Sequence, residues 1–134
     1  AVSCMRAAVS QAGLFEEDSI LISAHGTGTP LNDKNESEAI KAVFGNRWRD
    51  HPVIATKSAH GHLIGAATAL QAALGIRALQ EGVAPPIQNY QGADPECDVS
   101  VVVGGPQPIR AKTLLVNAFA FGGLNATVAF RLAH

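Results

Sequence analysis

Two hydrophobic periods alternate along this chain, one helical and one of strand length. Residues 2–12 (Val-Ser-Cys-Met-Arg-Ala-Ala-Val-Ser-Gln-Ala) read as a helix that Gly13 stops. A polar turn is expected at residues 16–19. Residues 19–24 (Ser-Ile-Leu-Ile-Ser-Ala) form a short apolar run of buried-strand length. A second helix is expected at 34–44, capped by Asn32 or Asp33 and ended by Gly45. Residues 52–56 are a second short apolar run. A long helix from about 62 to 80 follows, apolar nearly all round, with Gly82 beyond its end. Pro85-Pro86 opens an irregular stretch that reaches Asp98. Residues 99–103 are β-branched and strand-like. Residues 113–119 and 127–132 are two further strands flanking a Gly122-Gly123 turn. Helix, strand, helix, strand, helix and then three strands describe an α/β layer with parallel and antiparallel pairing in one sheet.

Composition narrows the function. The 134 residues suffice for one domain, and 47% are apolar against 16% charged. Ten basic and eleven acidic residues nearly cancel, and no basic run exists, so nucleic acid is not an expected partner. Residues 63–79 approach the length of a membrane-spanning helix. Gln71 and Arg77 interrupt them, and Gln80 and Glu81 follow at once, so a helix buried in protein is expected. Cys4 and Cys97 show neither metal-ligand spacing nor a disulfide framework, and no signal-peptide pattern is present; a cytoplasmic protein is expected.

Three glycine-rich polar loops interrupt this oily chain. The first is His25-Gly26-Thr27-Gly28-Thr29-Pro30-Leu31-Asn32-Asp33, straight after the first strand. The second, Lys57-Ser58-Ala59-His60-Gly61-His62, follows the second strand. The third is Asn117-Ala118-Phe119-Ala120-Phe121-Gly122-Gly123-Leu124-Asn125. Loops at the ends of neighbouring strands in an α/β sheet converge on one site. His62, expected in the first turn of its helix, would be kept neutral by the helix terminus and by Lys57. A neutral imidazole donates a hydrogen bond to a carbonyl or an oxyanion near pH 7. His25 offers a second donor or a base. Thr27 and Thr29 offer hydroxyls to an extended polar ligand. Gly122 and Gly123 allow close backbone approach, so the amide of Phe121 or a neighbour could serve an oxyanion. Phe119 and Phe121 alternate on one side of a strand, as core or as a ligand gate. No carboxylate or thiolate has a spacing matching His25, His60 and His62, so no metal site is expected.

In order and spacing, the three loops resemble the C-terminal half of the β-ketoacyl-acyl carrier protein synthases. The resemblance covers essentially all of residues 1–134 and adds Glu36, Pro85-Pro86 and Glu96-Cys97-Asp98. It implies one half of a thiolase-like fold, a mixed five-stranded sheet with helices packed on it. It implies an acyltransferase that condenses malonyl-acyl carrier protein with an acyl-enzyme thioester in fatty acid or polyketide synthesis. His25, His62 and Lys57 are then the catalytic set. Thr27 and Thr29 hydrogen-bond the phosphopantetheine arm, which is the substrate carrier; no bound cofactor is implied. Phe119, Phe121, Gly122 and Gly123 line the acyl pocket, and Phe121 is its gate. Ala120 and Leu124 depart from the family's usual glycine and threonine.

Such a site needs a nucleophile. Cys4 lies in the first helix, without an elbow around it. Cys97 lies among acidic neighbours that would raise its pKa. In the family the nucleophilic cysteine belongs to the other, N-terminal half. The chain is therefore expected to be inactive without that half, and the whole enzyme is expected to act as a homodimer. The alternative is a non-catalytic ketosynthase-like fragment or a partner subunit of the chain-length-factor type.

Overall fold

A computed structural model of the chain describes residues 1–14 and 18–133. Half of the turn expected at 16–19, residues 16 and 17, lies outside the described residues. The elements are α1 (Val2–Gln11), β1 (Ile20–Ser23), α2 (Pro30–Phe44), β2 (Val53–Ile54), α3 (Lys57–His60), α4 (Ala67–Glu81), β3 (Val83–Ala84), β4 (Gln107–Pro108), β5 (Thr113–Phe119) and β6 (Asn125–Arg131).

The main sheet has the order β2-β1-β5-β6. β1 runs parallel to both β2 and β5, with Ile22 opposite Val53 and Leu115. β5 and β6 form an antiparallel hairpin from Thr113 opposite Arg131 to Phe119 opposite Asn125. β1 is wholly buried because helices cover both faces. Its alternation decides which helix each residue meets. Ile20 and Ile22 join Met5, Ile40 and Leu115 under α1 and α2. Leu21 joins Ala78, Leu79, Leu114 and Val116 under α4.

Several boundaries differ from the sequence reading. α2 begins at Pro30, four residues before Lys34, because proline's fixed φ suits the first helical position. Thr29 is therefore the residue before the helix, and Asn32 and Asp33 lie inside it. The long helix begins at Ala67, after a tight turn at Ile64–Ala66. Its buried line is Ala67, Gln71, Gly75, Ala78 and Leu79, and its outer face carries Arg77, Gln80 and Glu81. Its exposed side also carries Ala69, Ala73 and Leu74, so apolar residues lie on both sides. No helix among the described residues is long and apolar enough to cross a membrane.

The fifth strand of the main sheet, expected at 99–103, is reduced to one parallel bridge between Val101 and Val53. Val53 donates to the Ser100 carbonyl at 2.8 Å and accepts from the Val102 amide at 3.0 Å. Bonds from the Val99 amide to the Cys97 carbonyl and from the Val101 amide to the Val99 carbonyl turn the chain away from a regular ladder. β3 and β4, which the apolar pattern does not announce, form a separate antiparallel pair.

Candidate active site

The first loop is built around Glu36. This carboxylate sits on the second turn of α2, buried beneath the chain leaving β1. One oxygen accepts from the His25 amide at 2.8 Å and the other from the Gly26 amide at 2.9 Å. The side-chain amides of Asn117 and Asn32 donate to it at 3.0 and 3.4 Å. Burial pushes its pKa above the ordinary carboxylate value, and these four donors pull against that shift. Gly26 has φ of +45°, and a Cβ there would come within 2.9 Å of the Ala55 Cβ. The clamp and the glycine together set where His25 points.

His25 itself is buried. Burial, then the charge of Lys57, then His62, lower its pKa to about 4, with Asp33 opposing. Its ring is neutral at pH 7. Nδ1 is buried and has no hydrogen-bond partner among the described residues. The ring meets that of His62 edge to face at 5.7 Å and that of Phe119 at 5.9 Å.

His62 is not in the first turn of a helix. It lies between α3 and the turn at Ile64–Ala66, and it is exposed. The helix-terminus argument therefore does not act on it; a local hydrogen bond does. The Ile64 amide donates to His62 Nδ1 at 3.0 Å. A neutral ring that accepts at Nδ1 carries its proton on Nε2, which becomes the outward donor. Ile64 adopts φ of +49°, a sparsely populated conformation for a β-branched residue, so the donor is held at a local cost.

Lys57 opens α3 and is buried. Its ammonium donates to the His25 carbonyl and, at 2.8 Å, to Gln71 Oε1. Burial lowers its pKa, while Glu36 and Asp33 raise it. It thus contacts the backbone of His25, and its charge acts on that ring.

The remaining residues divide. Thr27 and Thr29 share a hydrogen bond at 2.8 Å between their hydroxyls. Thr27, Gly28, Asp33, Lys57 and His62 line one wall of an open groove of about 890 Å³, faced by Tyr90 and Cys97. Phe119 ends β5 and is half-buried beside His25. Phe121 does not continue the strand's alternation; it enters the turn Phe121–Gly123 and is fully exposed. Gly122 takes φ of +76°, and Ala120 donates to the Leu124 carbonyl at 2.8 Å to close the hairpin. Gly122 and Gly123 are also exposed.

Neither described cysteine is placed as a nucleophile. Cys4 Sγ donates to the Ala1 carbonyl at 3.0 Å and lies 3.4 Å from the Thr127 hydroxyl. Cys97 has its pKa raised by burial first and then by Asp94 and Asp33. Three supporting residues had weak sequence signals. Glu36 appeared only as a motif follower, Gln71 as an interruption of an apolar helix, and Asn117 as a loop residue. A lone amide on an apolar helix face is the clearest of these signals, because a buried polar group needs partners.

Comparison with known proteins places this geometry. Residues 1–91 match the family model described as the beta-ketoacyl synthase, C-terminal domain. The chain is 47% identical over 129 residues to nodulation protein E of Rhizobium meliloti, covering 96% of this chain and 32% of that protein. It is 40% identical over 124 residues to 3-oxoacyl-[acyl-carrier-protein] synthase 2 of a Synechocystis species, covering 92% of this chain and 30% of that one. Among solved structures it matches a type II polyketide synthase acyl-carrier protein in complex with its ketosynthase bound to the hexaketide. That match has a TM-score of 0.94 and 31% identity, covering 99% of this chain and 33% of that chain. A beta-ketoacyl synthase from Burkholderia phymatum gives 0.88 and 33%, with the same two coverages.

The fold is that of the ketosynthases, and the mixed sheet with its helices is one half-domain of their thiolase-like fold. The chain belongs to the beta-ketoacyl synthase family, in its C-terminal domain. It spans about a third of the length of the relatives it matches.

Proposed function

We propose that this chain supplies the two histidines and the lysine of a β-ketoacyl-acyl carrier protein synthase. The reaction is decarboxylative Claisen condensation in fatty acid or polyketide synthesis. An acyl group waits as a thioester on a cysteine carried by the N-terminal half of the enzyme. The C–CO₂ bond of malonyl-acyl carrier protein breaks and carbon dioxide leaves. The electron pair left behind forms an enolate on the carrier thioester. That carbon attacks the acyl carbonyl, a C–C bond forms, and the cysteine thiolate is released.

Each residue then has a physical task. His62 donates from Nε2 to the thioester oxygen as negative charge develops there. His25, neutral and 5.7 Å away, acts on the same thioester from the other side. Lys57 holds the His25 carbonyl, and its charge adds to burial in keeping that ring neutral. Thr27 and Thr29 receive the phosphopantetheine arm. Phe119 stands at the acyl end, with Phe121 as gate and its amide, freed by Gly122 and Gly123, as an oxyanion donor. The acyl carrier protein is the partner, and the complete enzyme is a homodimer.

The observation that carries this reading is the edge-to-face pairing of buried His25 with exposed His62, whose Nδ1 is held by the Ile64 amide. The presence of both rings and Lys57 weighs against the non-catalytic alternative. The test is an enzyme completed with the nucleophile-bearing half, given acyl- and malonyl-carrier substrates, with product followed by mass spectrometry. His62→Ala should reduce condensation by about 10²–10³-fold. Undiminished product from His62→Ala and His25→Ala would sink the proposal.

A further inference from the structure

One residue of the site remains without a role, and it lies on the opposite face of the sheet from Glu36. Gln71 is the one polar side chain on the buried line of α4, and it is completely inaccessible to solvent. Both ends of its amide are used. Oε1 accepts from the Lys57 ammonium at 2.8 Å. Nε2 donates to the Ala24 carbonyl and, at 3.5 Å, to the Ser23 hydroxyl. The orientation of the amide follows from its partners. An ammonium only donates and a carbonyl only accepts, so the two ends cannot be exchanged.

We propose that Gln71 is a positioning residue of the site: its uncharged amide, fixed on α4, holds the Lys57 ammonium against the His25 carbonyl while leaving that cation without a carboxylate in contact. Ser23, Ala24 and His25 are consecutive. Gln71 binds the first two directly and the third through Lys57, so α4 grips the chain as it leaves β1. Glu36 grips the same chain from α2, by the amides of His25 and Gly26. The two grips differ in charge, and that difference is the point. Among the described residues Lys57 forms no ion pair with a carboxylate. Glu36 and Asp33, both on α2, influence it through space; it touches His25 at the backbone carbonyl and acts on that ring by its charge. An uncharged partner satisfies the ammonium's hydrogen bond without cancelling its field at the His25 ring.

This inference rests on reading Lys57 and His25 as site residues, but its test does not use condensation. The experiment is an NMR titration of Lys57 Cε and His25 Cε1 in the protein, in the wild type and in the variants Gln71→Glu and Gln71→Met. In Gln71→Glu the new anion beside the ammonium should raise the Lys57 midpoint by about one unit or more. The His25 midpoint should rise with it, because the cation's field is then compensated. In Gln71→Met the ammonium loses a partner, and the Lys57 midpoint should fall. Shifts of opposite sign in the two variants are the signature that a merely structural residue would not give. If one variant does not fold, the other decides by its own sign. Unmoved midpoints, shifts of the same sign, or loss of fold in both variants would overturn the proposal. A synthase inactive for other reasons would leave these midpoints untouched, so this inference and the proposed function fail separately.

Discussion

The imidazoles of His25 and His62 meet edge to face, with centroids 5.7 Å apart and planes at 83°. One ring is buried and the other exposed. The buried ring has an Nδ1 without a partner among the described residues and a lysine ammonium bonded to its own carbonyl. Charging that ring would place two cations side by side in a poorly solvated place.

The first prediction concerns that charge. Burial is the larger cause of the low His25 pKa and Lys57 the next. Lys57→Met removes the second and leaves the first. The His25 midpoint, followed by NMR, should rise from about 4 but stay below the ordinary value of 6.5. A midpoint that stays at about 4 would assign the whole shift to burial.

Acid should destabilise the fold between those two pH values. His51 resembles His25: it is buried, meets the Phe44 ring at 4.2 Å with the planes tilted by 50°, accepts from the Ile20 amide, and has its pKa lowered by burial to about 4. With a folded pKa below the unfolded one, the unfolded chain binds more protons between about 4 and 6.5. Stability therefore falls as pH falls through that window. The two shifts act in the same direction, so their acid losses add. Glu36, whose pKa burial raises, works in the opposite sense above 4.5. Urea unfolding at several pH values should give a shallower acid loss for His51→Gln than for the wild type, whatever the variant's starting stability.

Glu36→Ala should be among the costliest single changes. It leaves the amides of His25 and Gly26 and the side chain of Asn117 without their acceptor. Each buried donor left unsatisfied costs about 1–3 kcal/mol. Asn117 also accepts from the Thr127 hydroxyl at 2.9 Å, so the disturbance reaches β6. Denaturation should show a loss of about 3 kcal/mol or more. Glu36→Gln, which keeps an acceptor oxygen, should lose less.

These supports explain which parts of the molecule were legible in the chain. β1, β5 and the Gly122-Gly123 hairpin follow from local pattern, because buried strands need continuous apolar runs and a tight turn needs glycine. His25, Lys57 and Thr27 could be grouped because they follow neighbouring strands. What escaped depends on distant partners. Gln71 reads as a blemish in an apolar helix until Ala24, 47 residues away, is seen to need its amide. Val99–Val103 reads as a strand by composition, but β2 is too short to pair more than one of its residues. Phe121 looks like the partner of Phe119 on one strand face, yet the Gly122 turn begins at Phe121 and turns it outward.

The last prediction concerns how closely α4 can approach the sheet. Gly75 lies on the buried line of α4, and a Cβ built there would sit 2.6 and 2.7 Å from the two Leu114 methyl carbons. Gly75→Ala has two opposed effects. Alanine favours the helix over glycine by about 1 kcal/mol. Overpacking a closed core costs about 1–3 kcal/mol, and Leu114 cannot step aside because it is wholly buried between β1 and α4. The clash should win, with a net loss of about 1 kcal/mol in urea denaturation. The double variant Gly75→Ala, Leu114→Val gives the added methyl room, so its loss should be smaller than the sum of the two single losses. Additive losses would mean that the helix shifts bodily instead. That shift would move Gln71, and the titration midpoints of Lys57 and His25 in Gly75→Ala would then reveal it.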